Sequence, residues 1–377
     1  MNSAANPLRQ LAALGQSIWF DNLHRRMLED GELSGRVRDD GLTGVTSNPT
    51  IFEKAMAGSR HYDGAMVRCL SAHPELQAEE LFFELALADI REAADLLRPV
   101  YEASDARDGM VSLEVSPALA DDTAGTVAQA RELHRRLQRP NVMIKVPATA
   151  AGLPAIEALV AEGINVNVTL LFDTGRYAEV VRAYLAGLRR RWAAGLPLQQ
   201  VASVASFFVS RVDAAVDPQL EASGAGPELQ GTAAVANAAV AYRHFLDVFD
   251  GPQFAELRSA GAQEQRLLWA STGTKDPRYS DVLYVESLAA PRTVTTLPPA
   301  TYDAFRDHGR AEEALAGAMD RAPAVLAGLR SAGVDLGAVT ARLEAEGVEA
   351  FAQSYRNLLQ SLEQKVSALA RERQAAG

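Results

Sequence analysis

The stretch NVMIKVPAT, residues 141–149, places a single lysine inside an apolar run. Such a run has the length and the β-branched content of a buried strand. A buried lysine is rare without a partner, because burial disfavours its charged form. The same burial makes the neutral amine of Lys145 a usable nucleophile for a carbonyl carbon. The alternative is a lysine on the wet face of a half-exposed strand, and the segments around it decide between these interpretations.

Short apolar runs of this kind alternate with longer amphipathic stretches along most of the chain. Glu75–Val100 and Ala151–Glu162 carry apolar residues three and four apart, which is typical of helices. Alternating strands and helices predict βαβ units and a parallel sheet, and eight strands favour a closed (β/α)₈ TIM barrel over an open doubly wound sheet. The predicted strands are Ser17–Phe20, Gly44–Ser47, Val111–Val115, Val142–Val146, Ile164–Leu170, Val201–Val209, Leu267–Ser271 and Thr293–Thr296.

The length of 377 residues fits one barrel domain over residues 1–377, since α/β barrels run from about 200 to more than 400 residues. The segment 341–377 predicts an additional C-terminal helix with its apolar side chains roughly on one side. We expect this helix to pack across one end of the barrel or against a partner subunit, in a monomer or a homodimer. Its apolar positions are Leu343, Phe351, Leu358, Leu359, Leu362 and Val366.

Composition argues against several classes of function. The formal net charge of −11 disfavours nucleic acid or an anionic membrane as the main partner, although a local basic cluster can still bind an anionic substrate. The N-terminus lacks the layout of a signal peptide, and no apolar run reaches the ~20 residues of a membrane helix. The one cysteine, Cys69, excludes an intrachain disulfide and suits a cytoplasmic protein. The six histidines lack ligand-like spacing, so we expect no metal site.

Two of the predicted strands alternate polar and apolar residues. Ser112 and Glu114 share one face of their strand, and Asn165, Asn167 and Thr169 share one face of another. Both faces of a parallel barrel are covered, so the apolar face meets the helices and the polar face points into the barrel. Buried carboxylates and amides must be bonded to one another or to a ligand. Barrel active sites lie at the C-terminal ends of the strands, where several of these residues fall.

The same alternation places Lys145 beside Glu114 on consecutive strands. An amine with a neighbouring acid or base is the minimum equipment for forming a Schiff base, and the alternative is a buried ion pair without chemistry. Asp21 follows the first predicted strand. It is either a helix N-cap, which its position alone favours, or a second base.

Three loops after predicted strands carry further polar residues. Thr46–Thr50 is explained by turn chemistry alone, but the amide of Asn48 is also placed to bind a hydroxyl at the barrel mouth. Arg211 and Lys275 follow the sixth and seventh strands. Barrels often bind phosphate with the loops after their last strands, and the alternative for both cations is ordinary surface charge.

These motifs together resemble those of transaldolases, from Ser17 to about Phe305. The chain length, Trp269–Pro277 and Tyr284–Pro299 are most similar to the longer bacterial branch of that family. The segments that resemble family signatures are Gly44–Phe52, Asp105–Asp122, Asn141–Thr149 and Asn165–Phe172.

The resemblance implies a (β/α)₈ barrel without metal or organic cofactor, which moves a dihydroxyacetone unit between sugar phosphates of the pentose phosphate pathway. It implies that Lys145 forms the Schiff base, that Glu114 and Thr169 handle the water lost and regained, and that Asp21 takes the proton from the C4 hydroxyl. The implied substrate-binding residues are Thr46, Asn48, Asn167, Ser206, Phe208, Arg211, Ser271 and Lys275. The spacing around Gly273 differs from shorter family members, in which an arginine does the work expected of Lys275.

Two other functions remain open at this point. One is a Schiff-base aldolase, with the same lysine but with water as the final proton source. Phe208 favours transfer, because a phenyl ring keeps water from the intermediate whereas a tyrosine could deliver a proton. The other is a sugar-phosphate-binding barrel without catalysis, although every expected catalytic position holds a competent residue.

Overall fold

Eight parallel strands close into a barrel in the computed structural model, which describes residues 6–224 and 226–376. Each strand pairs with the next one along the chain, and the eighth pairs with the first. This closure confirms the predicted TIM barrel and excludes the open sheet. The strands are β1 Ser17–Phe20, β2 Gly44–Thr46, β3 Met110–Glu114, β4 Val142–Pro147, β5 Val166–Leu171, β6 Ser203–Phe208, β7 Arg266–Ala270 and β8 Val294–Leu297.

Helices surround the strands. The two helices predicted from apolar spacing are present as Ala78–Ala103 and Gly152–Glu162, with their bounds displaced by up to three residues. The helices of the described chain are α1 Pro7–Ala13, α2 Arg25–Glu29, α3 Glu32–Gly35, α4 Pro49–Ala57, α5 Asp63–Ala72, α6 Ala78–Ala103, α7 Thr123–Leu137, α8 Gly152–Glu162, α9 Thr174–Ala193, α10 Ser210–Ser223, α11 Ala233–Phe249, α12 Pro252–Ser259, α13 Leu283–Ser287, α14 Pro299–His308, α15 Leu315–Ser331 and α16 Leu336–Ala376.

Strand ends are less well predicted than strand positions. The sixth strand, predicted as Val201–Val209, is two residues shorter at its start and one residue shorter at its end. Val201 and Val209 are buried although they lie outside the ladder. An apolar run therefore marks burial, and it does not show where the backbone pairing stops.

The N-terminal end of the barrel is closed by a buried polar cluster. Trp19 points inward across β2, where a Cβ on Gly44 would lie 2.5 Å from the indole ring, so only glycine fits. Asp108 accepts hydrogen bonds from Ser17 and from Trp19 Nε1 (2.9 Å), and Arg266 Nη2 lies 3.3 Å from the same carboxylate. These groups can stay buried because they are bonded to one another. Their side chains fill the N-terminal end of the barrel, which we call the barrel floor.

The predicted C-terminal helix is present as α16, and it packs across the C-terminal end of the barrel. It begins at Leu336, before the predicted residue 341, because Asp335 accepts a hydrogen bond from the Ala338 amide (3.0 Å). The last predicted residue, Gly377, lies outside the described residues. No single helix of the described chain is long and apolar enough to cross a membrane. Among the described residues, α15 and α16 taken together have the length and composition of a membrane span, but they are bent by 91° relative to each other.

Candidate active site

A cavity of about 290 Å³ opens at the C-terminal end of the barrel. Ten of the twelve site residues predicted from the sequence line it, and the other two, Glu114 and Asn167, contact residues of its wall. The cavity is lined by Asp21, Thr46, Asn48, Thr50, Ile51, Lys54, Lys145, Thr169, Ser206, Phe208, Arg211, Ala270, Ser271, Lys275, Thr296, Pro298 and Phe351.

Lys145 is buried, so the interpretation as a solvent-facing lysine is wrong. It pairs in register with Glu114 of β3, and its Nζ lies 3.3 Å from Glu114 Oε2. The same Nζ also donates to the carbonyl of Ser47 (2.9 Å). Burial raises the pKa of Glu114, while the charge of Lys145 opposes that rise. The pair can therefore exchange a proton within a site of low dielectric.

Asp21 is held at the end of β1 by a chain of hydroxyl groups. Its Oδ1 accepts a hydrogen bond from Thr46 Oγ1 (2.7 Å), which lies 2.7 Å from Thr296 Oγ1. Burial raises the pKa of Asp21, and the Thr46 hydrogen bond and the charge of Lys145 oppose the rise. The interpretation of Asp21 as a helix N-cap is wrong, because His24 caps α2 by accepting from the Met27 amide (3.1 Å).

A chain of polar side chains crosses the barrel interior beneath the cavity. Asn167 Nδ2 donates to Ser112 Oγ (3.0 Å), and Ser206 Oγ donates to Asn167 Oδ1 (2.7 Å). These bonds fix the orientation of the Asn167 amide. Thr169 Oγ1 is buried nearby, and no hydrogen-bond partner lies within its reach in the described chain. A buried hydroxyl without a partner is unusual and indicates a ligand or water site.

Asn48 has two roles that the sequence presented as alternatives. Its Oδ1 accepts a hydrogen bond from the Ile51 amide (3.0 Å) and so caps α4, whose first residue is Pro49. The same residue also lines the cavity. The cap fixes the position of the side chain and places it at the barrel mouth.

The two cations after the last strands lie at the same cavity. Burial lowers the pKa of Arg211, whose guanidinium lies 5.6 Å from the centre of the Phe208 ring. Burial, followed by the charge of Arg211, lowers the pKa of Lys275. Ser271 adopts a left-handed conformation (φ 56°), and its Oγ lies 3.0 Å from Ser210 Oγ. Arg211 is partly buried at the cavity wall, so the interpretation as ordinary surface charge is wrong for this residue. Lys275 also lines the cavity, but its side chain is exposed, so both interpretations stand for it.

The segment that carries Lys275 is fastened to α10, the helix that carries Arg211. Tyr279 donates to Asp217 Oδ2 (2.7 Å), and Tyr284 donates to Asp213 Oδ2 (2.8 Å). Burial raises the pKa of Asp213 to about 6. These two bonds join the segment after Lys275 to the helix that carries Arg211.

The sequence interpretation missed seven residues of the cavity wall. The alternation along β8 could have indicated Thr296, and the turn 46–50 could have indicated the first residues of α4. No local signal identifies Phe351, which comes from α16 and whose ring centre lies 5.9 Å from Lys145 Nζ. Within residues 6–224 and 226–376, no three His, Cys, Asp or Glu side chains form a group that could hold a metal ion. The missed residues are Thr50, Ile51, Lys54, Ala270, Thr296, Pro298 and Phe351.

The fold and the site define a (β/α)₈ barrel with a buried lysine–carboxylate pair and two cations at its mouth. A family described as Transaldolase/Fructose-6-phosphate aldolase matches residues 18–362. The chain is 48% identical to a transaldolase of Thiobacillus denitrificans over 94% of its length and 99% of that protein. It is 48% identical to a transaldolase of Saccharopolyspora erythraea (95% and 97%) and 44% identical to a Nostoc protein named transaldolase 2 (97% and 99%). The chain therefore belongs to the transaldolase/fructose-6-phosphate aldolase family.

Proposed function

We propose that the chain is a transaldolase, which reversibly transfers a dihydroxyacetone unit from sedoheptulose 7-phosphate to glyceraldehyde 3-phosphate. The products are erythrose 4-phosphate and fructose 6-phosphate, as in the non-oxidative pentose phosphate pathway. The observation that carries the proposal is the buried contact of Lys145 Nζ with Glu114, 3.3 Å apart, at the wall of the cavity. Amine and carboxyl together can form and hydrolyse a Schiff base without a metal.

The reaction begins with attack of Lys145 Nζ on the C2 ketone of the donor sugar. Glu114 and Thr169 then handle the water that leaves as the Schiff base forms. Glu114 supplies the proton, because burial raises its pKa and favours the protonated form. Thr169 holds the water through its buried hydroxyl, which has no other partner in the described chain.

Asp21 removes the proton from the C4 hydroxyl as the C3–C4 bond breaks. Burial raises the pKa of Asp21, which makes its carboxylate a stronger base. The first aldose phosphate leaves, and the three carbons stay on Lys145 as an enamine. The acceptor aldehyde adds to this enamine, and the earlier steps then run in reverse.

The remaining wall residues bind the substrate. Arg211, Ser271 and Lys275 supply two charges and a hydroxyl for the phosphate group. Thr46, Asn48, Asn167 and Ser206 bind the dihydroxyacetone hydroxyls, and Phe208 keeps water from the enamine. We also propose that residues 1–377 form one domain, since the last helix, α16, contributes to the cavity wall. The single cysteine supports a cytoplasmic location for this domain.

The test is release of triose phosphate from fructose 6-phosphate, with and without erythrose 4-phosphate. We expect continuous release only with the acceptor. Without it, release should stop at about one equivalent per enzyme, and borohydride should then trap the three-carbon unit on Lys145. Lys145→Ala should lose both activities, whereas Lys275→Gln should keep the trapped adduct and lose substrate affinity.

Continuous release without an acceptor would identify an aldolase instead of a transferase. Absence of release under both conditions would leave a binding protein or another substrate. Full turnover by Lys145→Ala would refute both Schiff-base functions.

A further inference from the structure

Phe351 is a wall residue that no part of the mechanism above uses. It is 6% exposed, it lines the cavity with Lys145, and its ring centre lies 5.9 Å from Lys145 Nζ. We propose that Phe351 is a specificity-determining residue, which keeps water from the three-carbon intermediate and so favours transfer over release. This inference rests on the proposed Schiff-base reaction.

The ring is held in place by the anchoring of α16. Ser354 Oγ accepts a hydrogen bond from Thr50 Oγ1 of α4 (2.8 Å), and Tyr355 donates to Glu79 of α6 (2.8 Å). Both anchors lie within about one helical turn of Phe351. The ring is therefore part of a fixed wall, since the turn of α16 that follows it is bonded to two different helices, α4 and α6.

The preceding turn of α16 brings the helix against the barrel. A Cβ on Gly347 would lie 3.0 Å from Leu170 Cδ2 and 3.8 Å from Arg211 Nη1. Gly347 and Phe351 are four residues apart, so they lie on the same face of the helix. The glycine allows the close approach, and the phenylalanine then reaches over the lysine.

Phe351 differs from Phe208 in its origin. Phe208 belongs to β6 and packs on Phe172, with the two ring centres 5.2 Å apart. Phe351 comes from α16, and its ring faces Lys145 Nζ at 5.9 Å from the ring centre. The cavity thus has aromatic rings from two independent elements, and replacing one leaves the other in place.

The chemistry explains why water must be kept away. Water can donate a proton to C3 of the enamine, and addition of one water molecule to the resulting iminium carbon releases dihydroxyacetone and restores the free amine. An apolar ring close to Nζ keeps free water from C3 of the enamine, whereas Thr169 holds the one water that the Schiff base itself needs. An acceptor aldehyde consumes the same enamine without release of dihydroxyacetone. The ratio of dihydroxyacetone release to transfer therefore measures how well the enamine is protected from water.

The experiment compares Phe351→Ala, Phe351→Leu and Leu358→Ala with the unmodified chain. Leu358 is a matched control, since it is fully buried in the same helix and does not line the cavity. For each protein we would measure dihydroxyacetone release without acceptor, transfer with acceptor, the KM for fructose 6-phosphate and urea unfolding.

We expect Phe351→Ala to raise the ratio of release to transfer roughly tenfold, the effect of about 1.4 kcal/mol of lost protection. Phe351→Leu should restore most of the protection, because leucine is also apolar. Leu358→Ala should lower stability and leave the ratio unchanged.

An unchanged ratio in Phe351→Ala, or an equal rise in Leu358→Ala, would overturn the inference. Failure of the unmodified chain to transfer at all would instead count against the proposed function, so the two failures are distinguishable.

Discussion

Replacing Asp213 with asparagine is expected to flatten the pH dependence of stability. Asp213 is buried on α10, where its carboxylate accepts hydrogen bonds from the Ala234 amide and from Tyr284 (both 2.8 Å). Burial raises its pKa from 3.8 to about 6. The folded protein therefore binds this proton more tightly than the unfolded chain does. The resulting stabilisation is fully present below pH 3.8 and is lost as the pH rises through about 6.

The magnitude follows from these two pKa values. Each tenfold difference in proton affinity corresponds to about 1.4 kcal/mol, so the complete loss is about 3 kcal/mol. Between pH 4.5 and 7.5 the carboxyl group accounts for about 2 kcal/mol of this loss. Asparagine keeps the shape of the side chain and removes the titration.

The assay is urea unfolding of the unmodified chain and of Asp213→Asn at pH values from 4.5 to 7.5. The difference in unfolding free energy between the two proteins should change by about 2 kcal/mol in favour of the variant as the pH rises. A matched variant, Tyr284→Phe, removes a hydrogen bond that opposes the raised pKa, so it should move the transition to higher pH. A constant difference across this range would refute the reasoning.

Three further outcomes are expected. Phe208→Tyr should increase acceptor-independent cleavage relative to transfer, measured as triose phosphate released; an unchanged ratio would contradict it. Arg211→Gln and Lys275→Gln should each raise the KM for fructose 6-phosphate by roughly ten- to a hundredfold, since a charged hydrogen bond contributes about 1.5–3 kcal/mol; unaltered KM values would remove both from the phosphate site. Asp108→Ala should lower the unfolding free energy in urea by about 3–5 kcal/mol, because it leaves Arg266 buried without a carboxylate; a loss below 1 kcal/mol would show that the cluster is not needed.

Part of the site could be predicted because parallel barrels follow a simple rule. Inward-facing residues of neighbouring strands lie side by side, so the alternation around Lys145 and Glu114 predicts their contact. The same alternation places Asn167 and Thr169 inside the barrel, where the structure has them. Local patterns sufficed here because the strands are short, buried and in sequential order.

Other features depend on information that local patterns do not contain. Asp21 lines the cavity and does not cap a helix, because its carboxylate is bonded to Thr46 of the neighbouring strand. The local sequence around Asp21 does not contain this partner. Phe351 reaches Lys145 only because α16 turns by 91° from α15 and crosses the barrel mouth. The amphipathic pattern of α16 predicted which face is buried, but it did not predict the surface that this face covers.

The filled barrel floor has a consequence for the order of product release and substrate binding in the proposed reaction. Trp19, Asp108 and Arg266 fill the N-terminal end of the barrel, so we expect both aldehydes of the proposed reaction to use the mouth beside α16. A cavity of about 290 Å³ gives the first product and the second substrate little room to be present together. We therefore expect the first aldehyde to depart before the second arrives, and the steady-state velocities should give parallel lines in double-reciprocal plots.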